Sequence, residues 1–324
     1  MSELARDILH KLLDACDRLA VENVRANRGG PFAASVHVYN TSTGEVQTIV
    51  EPVGNAVIET GLASAHAEDR AIVPENVSRL RAAIAAVGCD NAHVYVISSA
   101  ESCPACHAKL EILARNLVFD KVILPGRFTV VYGASYEESK AVAGFDDDKY
   151  HHDFQLKPGT GLIKQSYMKA HDVPEMLKVR LNDAIGPTAW ILTKDRVLTG
   201  VGDAPEVNVI QVASRVQQRV KIESPWNLRR ATLYTFTHEI GPMAYAECQW
   251  ANIGEWVSIE HHASKIFETR EAPDIGNTAL FRIIATRPYT NADSAMTIIH
   301  LTPFANLGQK EWAAKADRVD YNGA

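Results

Sequence analysis

Three residues in the first half of the chain carry soft or borderline donor atoms: His66, and Cys103 and Cys106 of a Cys-x-x-Cys motif. One imidazole and two thiolates suit zinc, and three protein ligands leave the fourth tetrahedral position open for water. The chain has an odd count of five cysteines, and in the reducing compartment expected for it a Cys-x-x-Cys motif indicates metal or redox chemistry more than a structural disulfide. These residues predict a catalytic site that binds one Zn²⁺, with water or hydroxide as fourth ligand. A structural zinc site and a redox pair are the alternatives.

Glu68 follows His66 by two residues, a spacing that places a carboxylate near the metal without making it a ligand. Zinc lowers the pKa of bound water to about 7, and a neighbouring carboxylate can take the released proton and pass it on. Glu68 is therefore predicted to be the catalytic proton shuttle. The alternative is a carboxylate that only stabilises the N-terminus of a helix.

The hydrophobic pattern predicts the elements that must position these residues. Apolar residues at three- and four-residue intervals favour helices, and alternation or short apolar runs favour strands. Helices are predicted over 3–25, from about 65, over 79–87 and over 105–116, and strands over 34–39, 46–53, 91–98 and 118–124, with a less regular segment over 128–150. His66 then begins one helix, and Cys103 lies between a strand and the next helix. Such alternation favours an α/β sheet covered on both faces.

The second half repeats this pattern without the metal ligands. After a predicted linker over 151–165, we expect helices over 163–184, 206–220 and 243–252, a hairpin over 189–201 and a strand over 231–236. A shift of 138 residues aligns HAEDRAI with APEVNVI and ESCPAC with EIGPMA. Ala204, Gly241 and Ala244 then replace the three ligands, while Glu206 matches Glu68.

This repeat predicts an α/β protein built from two tandem three-layer α/β/α sandwich domains, each with a central mixed sheet. The catalytic zinc domain is expected over residues 1–157. The degenerate domain, which lacks the zinc ligands, is expected over residues 158–324.

Bulk properties restrict the partners of the chain. The formal net charge of −6 argues against the broad basic surface of a protein that binds a nucleic-acid backbone. No apolar run approaches the roughly 18 residues that cross a bilayer, and the N-terminus is charged from the start, unlike a signal peptide. We expect a small neutral substrate, no membrane association and a cytoplasmic location.

His-x-Glu followed by Cys-x-x-Cys is the signature of zinc deaminases that act on nucleobases. With its flanking motifs, the first half resembles the cytidine-deaminase-like superfamily, and within it bacterial guanine deaminases most. The matching motifs are Gly30-Pro31-Phe32, Asn55, His66-Ala67-Glu68, Glu101-Ser102-Cys103-Pro104-Ala105-Cys106 and Ala143-Gly144-Phe145-Asp146-Asp147. Ser102 stands where the family usually has proline, and this change removes no ligand.

The resemblance implies roles for further residues. Asn55 is expected to hold the base, and Asp147 to contact it and assist the departure of ammonia, with Asp146 as the less favoured substitute. Phe32 and Ala67 are expected in the substrate pocket. From the residues alone, Asn55 as a turn residue and the acidic run as solvated surface are the alternatives.

The predicted activity is zinc-dependent hydrolytic deamination of a purine-like nucleobase, with guanine favoured and ammonia released. The alternatives are a tRNA adenosine or cytosine-type deaminase and, in another class, a zinc-stabilised non-catalytic binding or scaffold protein. Because the resembled enzymes form domain-swapped dimers, the tandem chain is expected to form an intramolecular pseudo-dimer, with its second half in place of a second subunit. A homo-oligomer is left open.

Overall fold

The structure of the 324-residue chain is a computed structural model. It describes residues 4–62, 65–143, 164–182, 188–192, 196–201, 208–210, 212–213, 231–235, 248, 253, 255–260 and 294–315. The predicted linker lies outside these ranges except for residues 164–165, which begin a strand. Most of the helices predicted over 206–220 and 243–252 also lie outside them.

The first 143 residues alternate helices and strands much as their hydrophobic pattern predicts. The elements are α1 (Arg6–Arg25), β1 (Ala33–Asn40), β2 (Val46–Gly54), α2 (Val57–Thr60), α3 (Ala67–Ala71), α4 (Pro74–Val87), β3 (Ala92–Ala100), α5 (Pro104–Phe119), β4 (Phe128–Ala134) and α6 (Tyr136–Ala143). The remaining described elements are β5 (Lys164–Lys169), a short 3₁₀ turn (Ala170–Asp172), α7 (Glu175–Asn182), β6 (Thr188–Leu192), β7 (Val197–Val201), β8 (Thr232–Thr235), β9 (Glu255–Glu260), β10 (Thr297–His300) and α8 (Leu307–Ala314).

The first sheet is mixed and has the strand order β10-β4-β3-β1-β2. β1 and β2 form the predicted antiparallel hairpin, and β3 is antiparallel to β1, with Ala34 opposite Ser98. β4 runs parallel to β3, and β10 runs parallel to β4. The carboxyl ends of β3 and β4 therefore lie at one edge of the sheet, where ligand sites of α/β proteins usually form.

Alternation along the strands separates two apolar layers. Val94 and Val96 of β3 pack with residues of α3, α4 and α5. Tyr95 and Ile97, which point to the opposite face, pack with α1. Helices therefore cover both faces of the first sheet, which confirms the predicted α/β class for this part of the chain.

A C-terminal segment, residues 294–315, completes the first sheet. Its strand β10 pairs with β4, with Thr297 opposite Thr129, and its helix α8 packs on α1. The division at residue 157 placed this segment with the second half of the chain. The division itself stays a prediction, but the strand pairing assigns residues 294–315 to the first sheet.

Two buried carboxylates hold this segment. Glu111 of α5, which is 0% exposed, accepts hydrogen bonds from Ser294 Oγ at 2.8 Å and from Ala295 N at 2.9 Å. Asp17 of α1 accepts from the backbone amides of Leu307 (2.8 Å) and Gly308 (2.9 Å), at the start of α8. Carboxylates at a helix N-terminus satisfy otherwise unpaired amides, so Asp17 anchors α8.

The second sheet is also mixed and has the strand order β5-β9-β8-β6-β7. β6 and β7 form the predicted antiparallel hairpin, β8 is antiparallel to β6, and β9 is parallel to β8. β5 completes the edge by pairing parallel to β9. Val173 and Leu177, from the turn and helix after β5, pack with Trp190, Tyr234 and Val257 of this sheet.

Two sequence-based assignments are wrong. Residues 118–124, predicted as a strand, are the end of α5 and the turn after it: Lys121 has φ 58° and Val122 N donates to Leu117 O at 2.8 Å. The strand is β4, over residues 128–134, which are all buried. Residues 164–169 form a strand where a helix was expected. Short apolar runs do not distinguish a buried strand from a buried helix end.

In the described ranges, no helix combines the length and the apolar character that a membrane span needs.

Candidate metal and catalytic site

The structure brings His66, Cys103 and Cys106 together. Their ligand atoms all lie within 4.8 Å of one another. His66 Nδ1 is 3.3 Å from Cys103 Sγ and 3.4 Å from Cys106 Sγ. Both cysteines are buried, His66 is half-buried, and neither cysteine forms a disulfide. One imidazole and two thiols at these separations can bind a single ion.

Two helix N-termini position the donors. His66 is the residue before the first turn of α3, and Cys103 is the residue before the first turn of α5. Pro104 at the first position of α5 fixes a backbone angle that suits a helix start. Cys106 N donates to Cys103 Sγ at 3.4 Å, so the helix end stabilises negative charge on that sulfur.

The two sulfurs differ in their affinity for protons. Burial raises the pKa of Cys103, but the hydrogen bond from Cys106 and the charge of His66 outweigh it and bring this pKa well below its ordinary value. The pKa of Cys106 lies well above its ordinary value because its thiol donates to Cys103 and is buried. The Cys106 sulfur therefore binds a proton more tightly than the Cys103 sulfur does. Metal binding needs both sulfurs deprotonated, so it releases a proton.

Glu68 lies in the first turn of α3 and is buried, with 6% of its surface exposed. Ser98 Oγ donates to Glu68 Oε1 at 3.1 Å. Burial raises the pKa of Glu68, and the nearby Cys103 sulfur raises it further, whereas His66 lowers it. A carboxyl group whose pKa is raised towards neutrality can both accept and release a proton in a reaction near pH 7.

Asn55 lies directly after β2 and is 2% exposed. The neighbouring Ala56 N donates to Ala65 O at 2.8 Å, so the chain around Asn55 runs beside the residue before His66. Asn55 Oδ1 accepts from Gly30 N (3.2 Å) and from Val57 N (3.1 Å). These bonds fix the orientation of the amide. Its Nδ2 donates to none of the residues that the structure describes.

The other predicted pocket residues are placed differently. Phe32 is half-buried and packs against the core between the sheet and α3–α5, and its backbone O accepts from Asn55 N at 2.9 Å. Ala67 is fully buried in that core. Asp146 and Asp147 lie outside the described residues.

The counterparts of the site in the second half also lie outside the described residues. These counterparts are Ala204, Glu206, Gly241 and Ala244. The absence of metal ligands there is therefore a statement about the sequence alone.

Two polar contacts of the site were not predicted from the sequence. Ser98 binds Glu68, and the alternation of β3 carries the signal, since Ser98 shares the face of Val94 and Val96. Lys109 Nζ lies 2.6 Å from Asp69 Oδ1, which joins α5 to α3 beside the site. No spacing rule in the sequence predicts this pair, because the two residues meet only through tertiary packing.

The fold and the donor set together define an α/β protein with a candidate metal site at two helix N-termini and a buried carboxylate beside it. The residues present suit zinc, since one imidazole and two sulfurs match its preference for nitrogen and sulfur ligands. The described residues supply three donors to this group.

No family model matches the chain, and no curated protein matches it. Among solved structures, the chain is similar to a guanine deaminase from Bacillus subtilis, with 24% identity and a TM-score of 0.31, over 47% of this chain and 80% of that one. It is also similar to a protein solved in complex with 2,6-diaminopurine (22% identity, TM-score 0.28, 45% of this chain and 65% of that one). A guanine deaminase from Nitrosomonas europaea matches with 21% identity and a TM-score of 0.27, over 42% of this chain and 63% of that one. At these TM-scores, the likenesses carry no weight for the function of this chain.

Proposed function

We propose that the chain is a zinc-dependent hydrolytic deaminase of an amino-substituted, purine-like nucleobase, with guanine as the first substrate to test. The observation that carries the proposal is the convergence of His66, Cys103 and Cys106 beside the buried carboxyl group of Glu68. The His-x-Glu and Cys-x-x-Cys motifs in this order are the signature of nucleobase deaminases.

His66, Cys103 and Cys106 would hold the metal, which when bound supplies a Lewis acid that lowers the pKa of water. Glu68 takes a proton from the water that attacks the amine-bearing carbon. It delivers this proton to a ring nitrogen. It then moves the second proton of the same oxygen from the new C–OH group to the amine, so the C–N bond breaks, a carbonyl group forms and ammonia leaves. Ser98 holds one oxygen of Glu68, which orients the carboxyl group for these transfers.

Asn55 would orient the base. Because its Oδ1 is occupied by two backbone amides, its Nδ2 is the group that can donate to a heterocycle that presents an acceptor. Asp147, with Asp146 as its substitute, is proposed to contact the base and to assist the departure of ammonia. Phe32 and Ala67 are proposed to line the pocket.

The second half is proposed to be a metal-free structural or regulatory copy of the first, so that the chain forms an intramolecular pseudo-dimer. Two observations support this. The two sheets have the same order of parallel and antiparallel pairs, and residues 294–315 complete the first sheet from beyond the second.

Ammonia release by the zinc-loaded full chain tests the activity, with guanine, cytosine, adenine and related amino-heterocycles as substrates. Glu68→Gln is the control, and we expect it to retain zinc while its rate falls by roughly 10²–10⁴-fold. Ammonia from guanine supports the proposal, and ammonia from cytosine alone moves the substrate class to pyrimidines. A zinc-bound chain that releases ammonia from none of these bases would contradict the proposal and favour a binding or scaffold role.

A further inference from the structure

The side chain of Asn23 joins two separate segments beside the candidate site. Asn23 lies in the last two turns of α1 and is 4% exposed. Its Nδ2 donates to Gly30 O at 2.9 Å and to Asn55 O at 2.7 Å. One amide group therefore fixes both the turn before β1 and the residue after β2.

These contacts form a closed network around Gly30. Gly30 N donates to Asn55 Oδ1, and Gly30 O accepts from Asn23, which also binds Asn55 O. Gly29 and Gly54 leave room for these two asparagine side chains, which would have to shift if either glycine carried a Cβ. A Cβ at Gly54 would lie 2.7 Å from Asn23 Oδ1, and a Cβ at Gly29 would collide with Asn55 Oδ1.

Burial of a polar side chain costs free energy unless each of its polar groups forms a hydrogen bond. A side chain that forms these bonds within a network is held in one position. Because Asn23 is buried, solvent does not readily replace the donor that it supplies. Loss of this donor would release Gly30 and Asn55 together, and with them the orientation of the Asn55 amide.

We propose that Asn23 is a positioning residue, which fixes Gly30 and Asn55 so that Asn55 Nδ2 faces the base. The inference rests on the proposed function only for the identity of the ligand. Asn23 acts through Asn55 and touches neither the metal ligands nor Glu68 in the described structure.

The first test is hydrogen–deuterium exchange on the zinc-loaded full chain, with Asn23→Asp, which keeps the side-chain shape but replaces the donor with an acceptor. Loss of a hydrogen bond changes an opening equilibrium by up to about tenfold. We expect exchange to quicken by about this factor in peptides that cover residues 29–32 and 54–58, and to stay unchanged over residues 103–107. Asn208→Asp is the matched control, since Asn208 Nδ2 also donates to a backbone oxygen, Val201 O, at 2.7 Å.

The second test uses guanine as the probe. Asn23→Asp is expected to raise KM by about tenfold or more with a smaller change in kcat and unchanged zinc content, because substrate orientation is lost. In an Asn55→Ala background the same change should have no further effect on KM, since Asn23 then has no amide to orient. A merely structural role would lower kcat through a smaller active fraction and leave KM unchanged.

Unchanged exchange over 29–32 and 54–58, or a KM effect that persists in full in Asn55→Ala, would overturn the inference. If Asn23→Asp does not fold, Gly54→Ala decides by the same comparisons, because its Cβ would lie 2.7 Å from Asn23 Oδ1 and displace that side chain. If the wild-type chain deaminates none of the bases, the proposed function fails alone. The exchange measurement still decides whether Asn23 positions Asn55.

Discussion

The two sheets have the same strand order and pairing, but their outer parallel strands, β10 and β5, occupy different places in the chain order. Both consist of an antiparallel hairpin, a third strand antiparallel to it, and two further parallel strands. The first sheet is completed by β10, which follows all strands of the second sheet. The second sheet is completed by β5, which precedes its own hairpin. Among the described strands, β10 is separated from the rest of its sheet by the strands of the second sheet, whereas β5 comes directly before the other strands of its own sheet. The first sheet therefore depends on chain that follows the second sheet.

The two regions differ in the polar groups they bury. The first sheet and its helices bury ionisable side chains, which include Asp17, His37, Glu68, His93, His107 and Glu111. In the part of the chain from 164 to 260 that the structure describes, the buried polar residues are the neutral Thr188, Thr235 and Ser258. Burial of a charge costs free energy unless the charge is paired or used. Among the described residues, the buried carboxylates that anchor the C-terminal segment and the one beside the candidate metal site therefore all lie in the first region.

The largest expected effect comes from truncation after residue 157, which removes β10 and α8. This change exposes the β4 edge and the α1 face, and leaves Asp17 and Glu111 without their backbone partners. We expect the truncated product to be insoluble or unfolded, which gel filtration and circular dichroism would measure. A fusion of residues 290–315 to this fragment through a flexible linker should recover folding. A soluble, fully active 1–157 fragment would show that the first region does not need β10 and α8, and it would refute the intramolecular pseudo-dimer.

Removal of one metal ligand is the next largest change. Zinc measured by mass spectrometry is expected at about one ion per wild-type chain, and near zero in Cys103→Ser, since two remaining donors bind zinc weakly. Cys248→Ser, at a buried cysteine of the second half that forms no disulfide, should keep the full zinc content. Equal loss in both variants would show that metal binding is not confined to the first region.

Acid is expected to destabilise the chain through two buried histidines of the first sheet. Burial lowers the pKa of His37 and of His93 to about 4, whereas in the unfolded chain each histidine keeps a pKa of about 6.5. The unfolded state then binds more protons between these values, so stability falls as pH decreases from 6.5 to 4, by up to roughly 3 kcal/mol for each residue.

Urea unfolding at pH 7 and pH 4.5 measures this loss. The Cys103→Ser background removes the competing effect of metal release. His37→Gln with His93→Gln should flatten the pH dependence, and an unchanged slope would show that neither histidine is its source.

The smallest predicted effect concerns the anchor of α8. Asp17→Ala removes the acceptor of two backbone amides at a helix N-terminus, and we expect a loss of about 1–2 kcal/mol in unfolding free energy. Ser42→Ala in the exposed β1–β2 turn is the control, with an expected change within about 0.5 kcal/mol. An Asp17 variant as stable as this control would mean that α8 is held by apolar packing alone.

Local pattern predicted the elements around the site better than it predicted the complete sheets. The helix starts at His66 and Cys103 and the hairpin of β1 and β2 were predicted because capping, spacing and alternation are local signals. β4 was missed because a fully buried parallel strand does not alternate. The roles of Asn23 and Glu111 depend on partners that are close only in the folded chain, so their sequence context gives no signal.

The anchoring of α8 also determines when the first region can finish folding. Asp17 and Gly308 are 291 positions apart in the chain, yet they form one hydrogen bond. Synthesis adds about 5–20 residues per second, so the strands from β1 to β4 exist for many seconds before β10 and α8 emerge. During that interval the β4 edge is an open template for other strands. Nascent chains therefore depend on late closure of this edge, and a chaperone that covers it would act on the partly synthesised protein.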